Sequence, residues 1–190
     1  DRSPSRGLGD VYKRQINHFE DDDIFYEETA KAQTLEIAEL IRKVDLNWLQ
    51  SRASYIRHGI PCRIQDPTKQ DSTIMMGGMN LHLLITFEDG IHWLLRIRRF
   101  NATSPPPTLQ TYIFNSEIAT LKFLETTSLP TPRVYDYAID AKDSPAGIGY
   151  ILMEYMSGNV LDWSTINEQG SKKVISQLAE IYIELRKHEF

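Results

Sequence analysis

A single cysteine, Cys62, stands in 190 residues, so no intrachain disulfide framework and no cysteine-based zinc site can be built. A reducing, cytoplasmic setting is the expectation. No apolar stretch approaches the roughly eighteen residues that signal a membrane-spanning helix. Lys and Arg number 21 against 26 Asp and Glu, and the basic residues form no stripe, which argues against nucleic acid or an anionic membrane as the main partner. None of the five histidines opens a His-x-Asp triplet. Internal repeats are absent. The only low-complexity stretch is Ser104-Pro105-Pro106-Pro107, for which an extended polyproline connector is predicted.

The run Ser5-Arg6-Gly7-Leu8-Gly9-Asp10-Val11-Tyr12-Lys13-Arg14-Gln15 resembles a translated sequencing adapter, and residues 1–15 are expected to be a disordered scar that contributes no core. They carry a net charge of +2, so the remaining residues hold −7 of the total of −5. An acidic body of this kind also serves solubility alone.

Residues 16–60 read as a helical extension. Asp21-Asp22-Asp23 precede a segment from Ile24 to Lys43 in which Leu35, Ile37, Leu40, Ile41 and Val44 recur at helical spacing. Acidic residues at that point favour a helix N-terminus. A second helix is predicted after Asp45, with Trp48, Leu49, Ala53 and Ile56 on one face and Gly59 as its stop.

Residues 61–156 change period. Leu81, Leu83 and Ile85 alternate with His82, Leu84 and Thr86, Glu88-Asp89-Gly90 makes a turn, and His92 to Arg99 returns. Along that returning strand Leu94, Arg96 and Arg98 share one face while Trp93, Leu95 and Ile97 share the other. Gly77 and Gly78 let backbone N–H groups approach an anion closely, although the pair alone equally fits a loop entering a strand. Three arginines on this strand are by themselves also compatible with a solvated edge strand. Thr108 is the predicted N-cap of a helix through Leu124 that carries Glu117, Leu121 and Leu124 on one side and ends near Thr127. Taken singly, Glu117 fits a solvated position equally well. Val134–Ile139 and Gly149–Met153 are predicted strands, separated by turn residues at 140–147. In residues 157–190, Gly158 and Asn159 make a bend, Leu161-Asp162-Trp163-Ser164 a surface turn, and Lys172–Lys187 a helix with Val174, Leu178, Ile181 and Leu185 on one side.

Met75-Met76-Gly77-Gly78-Met79-Asn80, the strand reaching Arg96, the string Ser116-Glu117-Ile118-Ala119-Thr120-Leu121 with Leu129-Pro130-Thr131-Pro132, and Ile151-Leu152-Met153-Glu154-Tyr155-Met156 follow in a fixed order. That order resembles the N-terminal lobe of the aminoglycoside phosphotransferase and choline kinase-like family, fungal-type members especially, over about residues 60 to 190. The resemblance implies an α+β fold: a protein kinase-like small lobe of antiparallel sheet plus helix, with the start of a helical large lobe at 157–190. It implies ATP as cofactor, with Mg2+ in the full-length parent, and transfer of the γ-phosphoryl to a hydroxyl on a small molecule.

By the same resemblance Gly77, Gly78 and Asn80 lie over the phosphates and Leu94 roofs the adenine. Arg96 reaches the α/β-phosphates, where most relatives place Lys, and Glu117 pairs with it. Met153 guards the back pocket, the Glu154 carbonyl accepts from the base and the Met156 N–H donates to it. The family's catalytic loop, His-Gly-Asp-x-x-x-x-Asn, is expected to lie beyond this chain, so the chain itself is predicted inactive. A noncatalytic scaffold or binding module is the alternative reading, and an unrelated helix-plus-hairpin interaction domain a further one.

Overall fold

The computed structural model describes residues 8–66, 75–76, 79–100, 104–159 and 161–188, with side chains described from Ile24 onward except at 75–76. It divides into two units, residues 1–42 and residues 43–190. The first is one helix, α1 (Leu8–Lys43), which exposes Ile24, Phe25, Tyr26 and Leu35 and carries an exposed Lys31–Glu28 ion pair at 2.8 Å. Residues 8–15, expected to be disordered, are therefore helical, and Asp21-Asp22-Asp23 lie inside the helix and not at its start. Lys13, Arg14 and Gln15 are good helix formers, and extending a helix that already exists costs far less than nucleating one.

The second unit begins with α2 (Leu46–Ile56), whose N-cap Asp45 accepts from the Trp48 N–H at 2.8 Å. The chain leaves this helix through His58 at φ 57° and Gly59 at φ 87°, left-handed positions that end a helix. α2 belongs to the same compact unit as the strands.

The strands are β1 (Cys62–Ile64), β2 (Met75–Met76), β3 (Asn80–Phe87), β4 (His92–Arg98), β5 (Val134–Ala138) and β6 (Tyr150–Glu154). Their order is β1-β3-β4-β6-β5, with β2 also paired to β3. Every pairing among the described strands is antiparallel. β1 pairs with the end of β3 (Cys62↔Phe87) and β2 with its beginning (Met76↔Leu81), so two short strands share one neighbour. The β3–β4 hairpin turns at Glu88-Asp89-Gly90, where Gly90 takes φ 82° and its N–H donates to the Phe87 carbonyl at 3.0 Å.

Strict alternation gives the sheet two apolar faces. Leu81, Leu83, Ile85, Trp93, Leu95 and Ile97 are all buried, and the register places them side by side with Tyr150 and Leu152. α2 covers this face, with Leu49 and Ala53 fully buried and Trp48 edge-on to Tyr150 at 6.2 Å. On the opposite face Ile151 and Met153 form a cluster with Phe114 and Ile118, joined by Leu94 and Leu121. Those last residues bring in α3 (Pro107–Leu124).

α3 starts earlier than predicted. Pro106 is its N-cap and Pro107 its first residue, without a side-chain cap; Thr108 lies inside the first turn. Proline suits that position because its missing N–H would have had no partner there. The helix ends at Leu124, and Thr126 and Thr127 continue as a turn onto the Phe123 and Leu124 carbonyls.

α4 (Glu168–Leu185) is capped by Asn167, which accepts from the Gly170 N–H at 2.8 Å. It contains no buried residue. Of the predicted seam, Leu178 is exposed, as are Ile175, Tyr182 and Ile183 outside it. Replacing Ile183, 60 % exposed, by Glu should leave the melting temperature unchanged and reduce self-association, because a contiguous apolar surface is lost without disturbing a core. Melting curves and light scattering on the two proteins check this, and a marked loss of stability would show that Ile183 packs after all. No helix among the described residues is long and apolar enough to cross a membrane.

Candidate functional site

Four of the predicted site residues converge on the α3 side of the sheet. Arg96 pairs with Ile151 and Leu94 with Met153 across β4 and β6, and alternation sends these side chains to one face. α3 crosses that face and supplies Glu117. The guanidinium Nη2 of Arg96 lies 2.5 Å from Glu117 Oε1, with the two side chains 18 % and 26 % exposed. The expected strand-to-helix ion pair is therefore formed, in a setting sheltered enough that solvent screens it only partly.

Leu94 and Met153 lie beside this pair. Met153 is buried, and Leu94 packs against the cluster that Met153 forms with Phe114, Ile118 and Ile151. The site is thus a charged pair at the margin of an apolar floor, an arrangement that can hold a flat apolar ring next to an anionic group.

Asn80 sits at the first position of β3, opposite Arg98. With its carboxamide oxygen toward the guanidinium, it accepts from Arg96 Nε at 3.2 Å and Nη2 at 2.7 Å, and its amide nitrogen donates to the Met79 carbonyl at 3.1 Å. The sequence singled out Asn80 as a phosphate contact; the structure places its side chain on Arg96. Arg98 and Arg99 are both buried, so the predicted basic face of β4 is not three solvated arginines. Gly77 and Gly78 lie outside the described residues.

At the end of β6 the backbone N–H of Glu154 donates to the Arg133 carbonyl at 2.8 Å, and its carboxylate Oε2 accepts from the Arg133 N–H at 3.2 Å. The Glu154 side chain is therefore engaged by Arg133. Met156 is 51 % exposed.

A cavity of about 310 Å³ opens beside the end of β6, lined by Glu125, Thr127, Leu129, Pro130, Thr131, Arg133, Glu154 and Met156. It includes neither Arg96 nor Glu117, so this hollow is not the face that carries the ion pair. The ion pair, not this hollow, is where four of the predicted residues come together. Sequence reading missed this cavity: Glu125, which holds the Val134 N–H through Oε1 at 2.5 Å, carries no local signal of that contact.

On the opposite face Arg52 Nε and Nη2 meet Asp136 at 2.7 and 3.1 Å, and the Tyr150 hydroxyl donates to Asp136 Oδ2 at 2.8 Å. Burial pushes the Asp136 carboxyl up, but the hydrogen bonds from Arg52 and Tyr150 and the Arg52 charge outweigh it and hold it below the usual range. Burial and the neighbouring Asp136 raise the Tyr150 phenol far above its ordinary value. This cluster clamps α2 to the sheet. Among the described residues no group of three or more His, Cys, Asp or Glu could hold a metal ion.

Comparison with known proteins gives a narrow result. The chain is 29 % identical over 120 residues to a subtelomeric hrmA-associated cluster protein of Aspergillus fumigatus, found in strains CBS 144.89 / FGSC A1163 / CEA10 and ATCC MYA-4609 / CBS 101355 / FGSC A1100 / Af293. The alignment covers 62 % of this chain and 22 % of each relative, so the chain matches about a fifth of their length. No family model and no solved structure matches the chain.

Proposed function

We propose that residues 61–156 are the ATP-holding small lobe of a phosphotransferase similar to the aminoglycoside phosphotransferases and choline kinases, and that the parent protein transfers the γ-phosphoryl of ATP to a hydroxyl on a small molecule in the cytoplasm. The observation that carries this reading is the Arg96–Glu117 ion pair, joining the central strand to the helix beside Leu94 and Met153. In kinase-like enzymes a strand cation held by a helix glutamate must be in place for the nucleotide phosphates to be positioned. The order of elements supports it too: the β3–β4 hairpin, α3, then β5 and β6 closing beside β4.

In this reading the residues divide the nucleotide among them. Arg96 engages the phosphates through a planar fork of donors, Leu94 and Met153 give the adenine an apolar wall, and the backbone at Glu154 and Met156 orients the base through hydrogen bonds of about 1 kcal/mol net each. Magnesium, if bound with the nucleotide, would supply charge stabilisation at the phosphates; among the described residues no cluster of three or more His, Cys, Asp or Glu is present to hold it.

A scaffold that binds nucleotide or a partner without catalysis is the second reading. The exposed apolar residues Trp163, Ile175, Tyr182 and Ile183 favour it, since surfaces of this kind mark interaction sites.

Calorimetric titration of the full chain with ADP, alongside an ATPase assay, tests the proposal. Binding of ADP without turnover of ATP is expected, and a version extended through the downstream reading frame should turn ATP over with magnesium. Failure of the chain to bind ADP or ATP would remove the nucleotide reading. An extended protein that binds but never transfers phosphoryl would favour the scaffold.

A further inference from the structure

We infer that Asn80 is a positioning residue: it does not touch the nucleotide but fixes the guanidinium of Arg96, so that an arginine can serve where a lysine would otherwise be used. The inference rests on the nucleotide-site reading of the α3 face and assigns a regulator of that site's geometry.

Two groups fix the orientation of Arg96. Glu117 reaches Nη2 from α3, and the Asn80 oxygen reaches both Nε and Nη2 from β3. The Asn80 oxygen takes the Nε–Nη2 edge of the planar fork, and Glu117 takes the other hydrogen of Nη2. Their effect is directional: held at both points, the plane of the guanidinium is set, and Nη1 is the nitrogen that neither of them contacts. A lysine has no such plane, because its ammonium is a point charge with three rotatable donors. A strand lysine thus needs only the helix glutamate, whereas an arginine with one partner can still rotate about its terminal bonds.

Asn80 is itself held in place. Its amide nitrogen donates to the Met79 carbonyl at 3.1 Å, which determines which end of the carboxamide faces Arg96, and its backbone lies in β3 opposite Arg98. The neighbouring backbone is tied as well, through the Arg99 N–H to the Met79 carbonyl at 3.0 Å. Position 80 therefore joins the start of β3 to Arg96 on β4.

The test is a coupling measurement by isothermal titration calorimetry on the full chain, using ADP and adenosine as probes. Asn80→Ala should weaken ADP about tenfold and leave adenosine unchanged, because only the phosphates read the guanidinium. In an Arg96→Lys background the same substitution should change ADP affinity less than twofold. Asn80→Thr, which suits a strand but cannot reach both Nε and Nη2, should behave as Asn80→Ala does and provides the answer if the alanine variant folds poorly. Equal losses in the arginine and lysine backgrounds, or no loss in either, overturn the inference while nucleotide binding stands. A full chain that binds no ADP overturns the inference together with the reading it rests on.

Discussion

Arg96→Ala should weaken ATP binding by about 100-fold, on the order of 2.7 kcal/mol. On the proposed nucleotide-site reading the substitution removes charge-assisted hydrogen bonds to the phosphates, worth about 1.5–3 kcal/mol, and it leaves Glu117 without its 2.5 Å partner. An unpaired carboxylate would repel an anion bound there, so on that reading both changes act in the same direction. Arg96→Lys keeps the charge and should retain affinity to within about tenfold, losing mainly the bidentate geometry. Stability should fall by about 1–2 kcal/mol in the alanine variant, between the small value of an exposed pair and the larger one of a buried pair, because both side chains are partly sheltered. Titration calorimetry with ATP and a melting curve on the same samples separate the two effects. Unchanged ATP affinity in Arg96→Ala would rule out this face as the phosphate site, whatever happened to the melting temperature.

The ion pair was expected from the family resemblance, and two local periodicities agree with it. Alternation along 92–98 puts Arg96 on the face opposite Trp93, Leu95 and Ile97, all buried, and helical spacing turns Glu117 toward the same side as Leu121, which packs on the α3 cluster. Local patterns of this sort report burial directly. The hairpin was equally plain, since Asp89-Gly90 needs the positive φ that Gly90 adopts.

What stayed hidden depends on distance along the chain or on very short elements. β1 spans three residues and β2 two, too few for an alternation to declare itself. Both are defined only by pairing with β3. The start of α3 was misplaced because threonine is a common cap, while Pro107 at the first helical position uses backbone geometry in place of a side-chain bond. Asn80 was recognised as part of the site, yet its bond to Arg96 crosses from β3 to β4 and has no local signature. The same holds for α2: its apolar face was read correctly, but nothing nearby says which surface it covers. That is decided by Arg52 and Asp136, which lie 84 residues apart.

Loss of that contact is the second large effect expected. Asp136→Ala should destabilise the protein by about 2–3 kcal/mol at neutral pH. The carboxylate is 17 % exposed and the Arg52 side chain 37 %, so solvent screens part of the ion pair and the full cost of a buried pair does not apply. The Tyr150 hydroxyl, however, loses its acceptor within a residue that is buried, and an unsatisfied buried donor costs about 1–3 kcal/mol. For a chain of this size the melting temperature should drop by about 4–12 °C. The pH dependence follows from the direction of the shift. The folded-state carboxyl is held below the ordinary range, so its stabilisation is present above the unfolded value of about 3.9 and is lost as pH falls through the folded value. The gap between the unmodified protein and Asp136→Ala should therefore be widest near neutrality and shrink as the pH is taken below about 4. Tyr150 acts at the other end: its phenol is raised, so its contribution is complete below about pH 10 and declines as the pH rises toward the folded value. Melting curves for both proteins from pH 3 to pH 7 measure the first of these trends. If the two melt together at pH 7, the Arg52–Asp136–Tyr150 cluster does not hold α2 to the sheet, and the apolar contacts of Leu49 and Ala53 alone account for its docking.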